Sequence, residues 1–146
     1  MTMDSDRLKV VLVEDDVDYA EIYRHWLDHV GYQVFIAADG ESGLELIGRE
    51  LPDLVYLDLR MPRLDGFGLL SALRSDSRTA HVPVVMLSNY DEPELRQRGA
   101  ELGVLEWIVK ADVTPSALAE RTAALMRAEA ELAEDETPFP QGDQTP

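Results

Sequence analysis

The sequence predicts an α/β protein in which five helices cover both faces of a five-stranded parallel sheet. First, it contains five short runs that are mostly apolar, which is typical of strands buried on both faces. Second, these runs alternate with segments whose apolar residues recur every three or four positions, as they do in helices. The sequence shows no internal repeat and no second domain. The predicted strands are residues 10–13, 33–37, 54–57, 83–87 and 106–109.

The first predicted helix follows the first strand directly. Either Asp16 or Asp18 can cap its N-terminus, where an acid complements the helix dipole, and Gly31 closes it. Ile22 and Trp26 lie beside its apolar stripe, and Trp26 is expected to flank the core. The stripe itself is predicted from Ala20, Tyr23, Leu27 and Val30.

The other four helices also begin at recognisable signals. Asp39-Gly40 precedes the second, Asp65-Gly66 the third and Asp91-Glu92-Pro93 the fourth. Thr114-Pro115, a capping residue followed by proline in the first turn, opens a long last helix. The residues expected on the inner side of that helix are Leu118, Leu125 and Leu132.

Length and composition limit the possible functions. The 146 residues suffice for one domain, predicted at 8–133 between a flexible start (1–7) and a disordered acidic tail (134–146). A net charge of −16 argues against nucleic acid or an anionic membrane as a direct partner. The absence of cysteine excludes disulfides and thiolate chemistry. No apolar run reaches membrane-spanning length and the first residues lack a signal-peptide core, so a cytoplasmic location is expected.

Chemically reactive side chains come at the ends of four predicted strands: Glu14-Asp15, Asp58, Ser88 and Lys110. Parallel strands end at one edge of the sheet, where α/β folds bind ligands. Acids gathered there cannot all stay ionised without a cation, and a set without His or Cys suits Mg²⁺. A lysine and a hydroxyl opposite the acids suit a phosphoryl group. The residues alone therefore suggest an aspartate that accepts phosphoryl next to Mg²⁺.

In this order and spacing, the residues closely resemble the receiver domain of two-component response regulators. The resemblance covers about residues 8 to 130 and implies a flavodoxin-like fold with strand order 2-1-3-4-5. It also implies a standalone, single-domain regulator. The matching segments are Val11-Leu12-Val13-Glu14-Asp15, Asp58-Leu59-Arg60-Met61-Pro62 with Asp65-Gly66, and the single residues Ser88 and Lys110.

The resemblance assigns the acids and one backbone group. Asp58 corresponds to the residue that accepts the phosphoryl group. Glu14 and Asp15 correspond to the acid pair that holds Mg²⁺ together with Asp58. In this scheme Asp15 is a direct ligand, Glu14 acts through water, and Arg60 contributes its backbone carbonyl.

The resemblance also implies residues that bind the phosphoryl group or respond to it. Ser88 corresponds to the switch hydroxyl and Lys110 to the lysine that contacts a phosphoryl oxygen. Trp107 stands where the family usually has Tyr or Phe as its switch aromatic. Arg60 and Tyr90 are both large and are expected to flank the entrance to the acid pocket.

Ala111 departs from the family, which usually has a proline after the lysine, often with a cis peptide bond. A cis bond before a residue other than proline costs ~2.5–4 kcal/mol. We therefore predict a trans bond between Lys110 and Ala111 and a loop that takes a different path. Lys110 is still expected to reach the acids through its flexible stem.

The implied function is a signalling switch and not an enzyme, with at most slow self-dephosphorylation. A histidine kinase or phosphotransfer protein would supply the phosphoryl group. Residues 91–127 would carry the change to a downstream protein, since no DNA-binding or catalytic domain follows.

Three alternative functions stay open. A haloacid-dehalogenase-type phosphatase needs an acid at position 60, and an FMN carrier needs a Ser/Thr/Gly-rich loop after the first strand. A degenerate receiver would serve only as a binding module.

Overall fold

The computed structural model describes residues 6–135 and contains one parallel sheet of five strands. Its strands are β1 (Lys9–Val13), β2 (Gln33–Ala37), β3 (Leu54–Leu57), β4 (Val84–Ser88) and β5 (Glu106–Val109). The helices are α1 (Val17–His29), α2 (Gly40–Glu50), α3 (Gly66–Ser75), α4 (Pro93–Glu101) and α5 (Pro115–Asp135). The strand order is β2-β1-β3-β4-β5, which confirms the predicted doubly wound topology.

The strand register brings the reactive residues to one edge of the sheet. Val13 at the end of β1 pairs with Leu57 at the end of β3. Ser88 at the end of β4 pairs with Val109 at the end of β5. The acids that follow β1 and β3 and the lysine that follows β5 therefore leave the sheet side by side.

Alternate residues of each strand point to opposite faces and so build two separate cores. In β1, for example, Val11 belongs to the cluster that α2 and α3 cover, whereas Val10 belongs to the cluster beneath α1 and α5. The first cluster takes Ile47, Leu70 and Leu73 from its helices. The second takes Tyr23, Leu27 and Leu118.

Four of the five described helices are capped at their N-termini by the side chains of residues that the sequence predicted as caps or helix starts. The side chains of Asp16, Asp39 and Asp65 accept backbone N–H groups in the first turns of α1, α2 and α3. Thr114 does the same for α5, where its Oγ1 accepts the N–H of Ala117 at 3.1 Å. Asp16, and not Asp18, is thus the cap of α1. The fourth helix differs, because it begins at a proline without a side-chain cap.

The buried stripe of α1 is narrower than predicted. Val30 is exposed, and Trp26 is 39% exposed, so it does not flank the core as expected. Ile22, Trp26 and Val30 are spaced four residues apart, which puts them on one outward line of the helix. Gly31 follows the last residues of α1 with a φ of 110°, a conformation that suits glycine.

The structure describes only the inner margins of the two predicted flexible ends, residues 6–7 and 134–135. Arg7 is held by hydrogen bonds to the carbonyls of Gly31 and Tyr32 and by an ion pair with Asp28. At the other end, α5 continues through residues 134 and 135, which were expected to be disordered. Residues 128–134 are mostly Ala and Glu, which have high helix propensity, and they carry the helix to its last residue. Leu132, predicted on the inner side, is exposed. Residues 1–5 and 136–146 lie outside the described part.

Among the described residues, no helix is both long and apolar enough to cross a membrane.

Candidate functional site

Three carboxylates meet where β1 and β3 end. Glu14 and Asp58 are buried, with 5% and 7% of their surface exposed, while Asp15 is exposed. One carboxylate oxygen from each of the three residues can be selected so that all three oxygens lie within 4.8 Å of one another. These three oxygens are close enough to bind a single cation together.

The backbone around Asp58 is fixed on two sides. Its N–H donates to the carbonyl of Val13 at 3.0 Å, which ties it to β1. On the other side, the N–H of Gly66 donates to the carbonyl of Leu59 at 2.8 Å. A Cβ at Gly66 would lie 2.5 Å from the carbonyl oxygen of Asp58. The Asp65-Gly66 signal thus places the first turn of α3 directly against Asp58.

Lys110 supplies positive charge to the acids. It begins a short 3₁₀ helix (Lys110–Asp112), and its ammonium pairs with Glu14 and lies 3.3 Å from Oδ2 of Asp58. Burial raises the pKa of Asp58 and of Glu14, while Lys110 opposes the rise in both. Burial alone would lower the pKa of Lys110, but its two acidic partners outweigh burial and raise it.

The donor set of this pocket fits Mg²⁺. Glu14, Asp15 and Asp58 offer hard carboxylate oxygens, and one ammonium does not balance three acids. Mg²⁺ favours such oxygens and keeps several of its waters, which suits a pocket with one exposed acid. The site could therefore hold this ion.

Ser88 is completely buried at the end of β4. Its Oγ accepts the backbone N–H of Tyr90 at 3.1 Å. The hydroxyl hydrogen is not used in this bond, so Ser88 can still donate to an anion. Any movement of Ser88 would disturb the backbone at Tyr90.

Trp107 has its ring inside the protein, with 8% of its surface exposed. Its Nε1–H donates to the backbone carbonyl of Tyr90 at 2.8 Å. The ring also lies beside Phe67, with 6.2 Å between ring centroids. On its other side is α4, where a Cβ added to Gly99 would lie 2.9 Å from the indole. Trp107 thus connects the residues after β4 with α4.

Arg60 and Tyr90 are in contact with each other. The guanidinium of Arg60 stacks over the ring of Tyr90. Arg60 also lines a surface pocket together with Asp15 and Asp65. Two loops therefore meet next to the acids, one after β3 and one after β4.

The peptide bond between Lys110 and Ala111 is trans, as predicted. The N–H of Ala111 donates to Oδ1 of Asn89 at 2.9 Å. A proline at position 111 could not make this bond, since it has no N–H. Lys110 still reaches the acids, also as predicted. How the path of this loop differs from that of other receivers stays a prediction.

Three residues near the site were missed by sequence reasoning. The first is Tyr19, whose ring lies under the ammonium of Lys110. The second is Tyr23, which was predicted only as a core residue and whose hydroxyl is hydrogen-bonded to that of Tyr19. The third is Asn89, whose side chain accepts the N–H of Ala111. Tyr19 could have been noticed, because it stands four residues before the core residue Tyr23 and so shares its side of α1. For Asn89 the only signal was its position directly after β4.

The sequence of this chain matches a known protein family over most of its length. A family described as "Response regulator receiver domain" matches residues 10–123. The chain belongs to the response regulator receiver family. This confirms the resemblance, and with it the assignment of the chain to two-component signalling. It leaves the role of each residue in this receiver to experiment.

Two transcriptional regulators are among the curated relatives of this receiver. The probable transcriptional regulator ycf27 of Guillardia theta is 39% identical over 119 residues, covering 82% of this chain and 45% of the relative. The DNA-binding dual master transcriptional regulator RpaA of Synechocystis is 34% identical over 119 residues, covering 82% and 49%. The receiver chain spans about half the length of these relatives.

A solved structure with a similar fold is the chemotaxis protein CheY4 of Vibrio cholerae. Its TM-score is 0.75 at 30% identity, and the match covers 81% of this chain and 98% of that one. The predicted flavodoxin-like fold is thereby confirmed.

Proposed function

We propose that this receiver accepts a phosphoryl group on Asp58 in a reaction that requires Mg²⁺. The observation that carries the proposal is the position of Asp58: it is buried, lies 3.3 Å from the ammonium of Lys110, and shares an acid cluster with Glu14 and Asp15. A structural salt bridge would need one acid for this lysine. Lys110 pairs with two acids, and a third acid, Asp15, lies in the same cluster. This excess of acids over one ammonium is better explained by a site for a cation and a phosphoryl group.

In the proposed reaction, a carboxylate oxygen of Asp58 attacks the phosphorus of a donor. The bond from phosphorus to the donor atom breaks, and its electron pair leaves with the donor. Lys110 then pairs with a phosphoryl oxygen of the resulting acyl phosphate, and the hydroxyl of Ser88 donates to another. This arrangement neutralises charge where it develops, which is the main catalytic requirement of phosphoryl transfer.

The residues proposed to hold Mg²⁺ are Glu14, Asp15, Asp58 and the backbone carbonyl of Arg60. When bound, the ion would neutralise the negative charge of the incoming phosphoryl group. The mixture of two buried acids and one exposed acid supports this assignment, because water can reach the exposed side.

The donor is proposed to be a histidine kinase or a phosphotransfer protein. Both present a phosphorylated histidine, whose nitrogen would be the leaving atom. We propose that the output is a changed contact with another protein through residues 91–127. With a net charge of −16, the receiver itself is a poor direct partner for nucleic acid.

Contacts around Tyr90 and Trp107 support this output face. Ser88 accepts the N–H of Tyr90, and the carbonyl of Tyr90 accepts the indole N–H of Trp107. The indole in turn packs against Gly99 in α4. A shift of Ser88 toward a phosphoryl group would thus be passed to the surface of α4.

The proposal is tested by incubating the chain with a small phosphodonor, acetyl phosphate, and measuring its intact mass. Addition of one phosphoryl group with Mg²⁺, and none with EDTA, is the expected result. Steady release of inorganic phosphate without labelled protein would indicate a phosphatase instead. No reaction with either acetyl phosphate or a phosphorylated histidine protein would indicate a receiver that serves only as a binding module.

A further inference from the structure

The ammonium of Lys110 makes a third contact besides its two acids. It lies 4.7 Å from the centroid of the Tyr19 ring, over the ring face. A cation in this position is attracted by the ring's negative face. Lysine has a long and flexible stem, so an additional contact of this kind restricts where its charge can lie.

Tyr19 is itself fixed in place. Its hydroxyl is 2.7 Å from that of Tyr23, and the two ring centroids are 4.6 Å apart. Tyr23 is 3% exposed, so it belongs to the core. Its hydroxyl also donates to the backbone carbonyl of Val113 at 3.4 Å. The two tyrosines therefore join α1 to the loop that begins at Lys110.

Asn89 holds the same loop from the opposite side. Its Oδ1 accepts the N–H of Ala111, the residue directly after Lys110, at 2.9 Å. Asn89 follows Ser88, so this bond ties the loop after β5 to the end of β4. It depends on the N–H of residue 111, which a proline would lack.

We propose that Tyr19 and Asn89 are positioning residues for Lys110, which together keep its ammonium directed at Asp58. The inference rests on the proposed phosphoryl transfer and deepens it. Tyr19 acts on the end of the lysine side chain, and Asn89 acts on its backbone. We therefore expect the effect of either residue on the reaction to pass through Lys110.

The first experiment compares two substitutions of Tyr19. Tyr19→Leu removes the ring but keeps apolar bulk, and we expect phosphorylation by acetyl phosphate at saturating Mg²⁺ to slow about tenfold, the scale of a partly desolvated cation–π contact. Tyr19→Phe keeps the ring and loses only the hydroxyl. Its rate should stay within about twofold of the parent rate, since the ring face carries the attraction.

The second experiment asks whether the effects pass through Lys110. In a Lys110→Ala background, Tyr19→Leu should cause no further loss of rate, because the group that it positions is gone. Asn89→Ala should likewise slow the parent several-fold and have no further effect in the Lys110→Ala background. Asn89→Ala should also have no further effect when combined with Ala111→Pro, which removes the N–H donor.

The outcomes separate this inference from the proposed function. A parent chain that is not phosphorylated would contradict the proposed function itself. If the parent is phosphorylated, and Tyr19→Leu and Asn89→Ala are phosphorylated as fast as the parent, the positioning role would be overturned. An equal loss in the Lys110→Ala background would also overturn it, because it would indicate a general structural effect. If Lys110→Ala reacts too slowly to measure, the comparison of the two Tyr19 variants decides. A phosphorylation rate of Tyr19→Phe close to that of the parent supports the positioning role of the ring, and a rate as low as that of Tyr19→Leu would overturn it.

Discussion

The guanidinium carbon of Arg60 lies 4.7 Å from the centroid of the Tyr90 ring. This stack connects the loop after Asp58 with the loop after Ser88. Neither side chain has a carboxylate or an amide carbonyl that could direct a water toward phosphorus. The pair therefore adds bulk beside the acids without adding a group that promotes hydrolysis.

We predict that this stack prolongs the life of the acyl phosphate. Hydrolysis requires a water in line with the bond that breaks, and a stacked pair restricts that approach. In the double variant Arg60→Asn/Tyr90→Ala, the half-life of phosphorylated protein should fall by at least about threefold, because both bulk and order at the entrance are lost. The measurement follows the decay of the labelled protein by intact mass after removal of the donor.

A matched control is Arg49→Asn. Arg49 is an exposed arginine at the end of α2, and the structure gives it an ion pair with Glu50. Its replacement should leave the half-life unchanged. Equal half-lives for the parent, the control and the double variant would show that the stack does not protect the acyl phosphate.

A second prediction concerns the fluorescence of Trp107. Its indole N–H is bonded to the carbonyl of Tyr90, whose N–H is bonded to Ser88. If Ser88 turns toward a phosphoryl group, the peptide groups of Tyr90 shift and the environment of the indole changes. A Trp26→Phe variant leaves Trp107 as the only indole, since the sequence has two tryptophans. We expect its emission to change when Mg²⁺ and beryllofluoride, a phosphoryl mimic, are both added.

Two controls accompany this measurement. Mg²⁺ alone should produce a smaller change, and the same additions to a variant with Ser88→Ala should produce little. Identical emission of the Trp26→Phe variant with and without the mimic would mean that Trp107 serves the core alone.

A third prediction uses the two glycines Gly99 and Gly48. Gly48→Ala in α2 should stabilise the fold by about 0.5–1 kcal/mol, the usual gain in a helix interior, because its Cβ meets only the end of Arg78 at 3.5 Å. Gly99→Ala in α4 should lack this gain and lower the melting temperature, because its Cβ would lie 2.9 Å from the ring of Trp107. Thermal unfolding of both variants checks the contrast. An equal gain in stability would show that the indole does not press on α4.

Much of the fold follows from features that are local in the sequence. The five apolar runs became the five strands, and Asp39, Asp65 and Thr114 cap the helices that they were predicted to begin. Errors arose where a local pattern does not reveal the neighbours of a side chain. Trp26 is apolar and stands beside a buried stripe, but among residues 6–135 no element covers that side of α1, and the side chain is exposed.

The candidate site was predictable in part for a similar reason. Residues that follow parallel strands must share one edge, so Glu14, Asp58 and Lys110 could be grouped from sequence. Contacts between loops could not be foreseen in the same way. The bond from Ala111 to Asn89 joins two loops whose paths no periodicity specifies. Helical spacing could have placed Tyr19 on the inner side of α1, but its contact with Lys110 depends on the path of the chain after β5.

A fourth prediction concerns the charge of Asp58. Its carboxylate is buried beside Glu14, and burial raises its pKa, so the charged form carries a cost in the fold. Without divalent cations at neutral pH, Asp58→Asn should therefore stabilise the fold and raise its melting temperature. Adding Mg²⁺ should raise the melting temperature of the parent more than that of the variant.

The control for this prediction is Glu94→Gln, which removes an exposed acid on α4. It should change neither the melting temperature in EDTA nor the response to Mg²⁺ by more than about 1 °C. A melting temperature of Asp58→Asn below that of the parent in EDTA would contradict the prediction. It would show that the charged carboxylate stabilises the fold through its ion pair with Lys110.

The most direct test of the account is to locate the phosphoryl group. The parent, Asp58→Ala and the control Asp53→Ala are incubated with Mg²⁺ and acetyl phosphate, and the acyl phosphate is mapped by mass spectrometry of peptides. Asp53 is an acid at the opposite end of β3, bonded to the backbone of Lys9. The account predicts one labelled position, Asp58, in the parent and in Asp53→Ala, and no label in Asp58→Ala. Undiminished labelling of Asp58→Ala would contradict it.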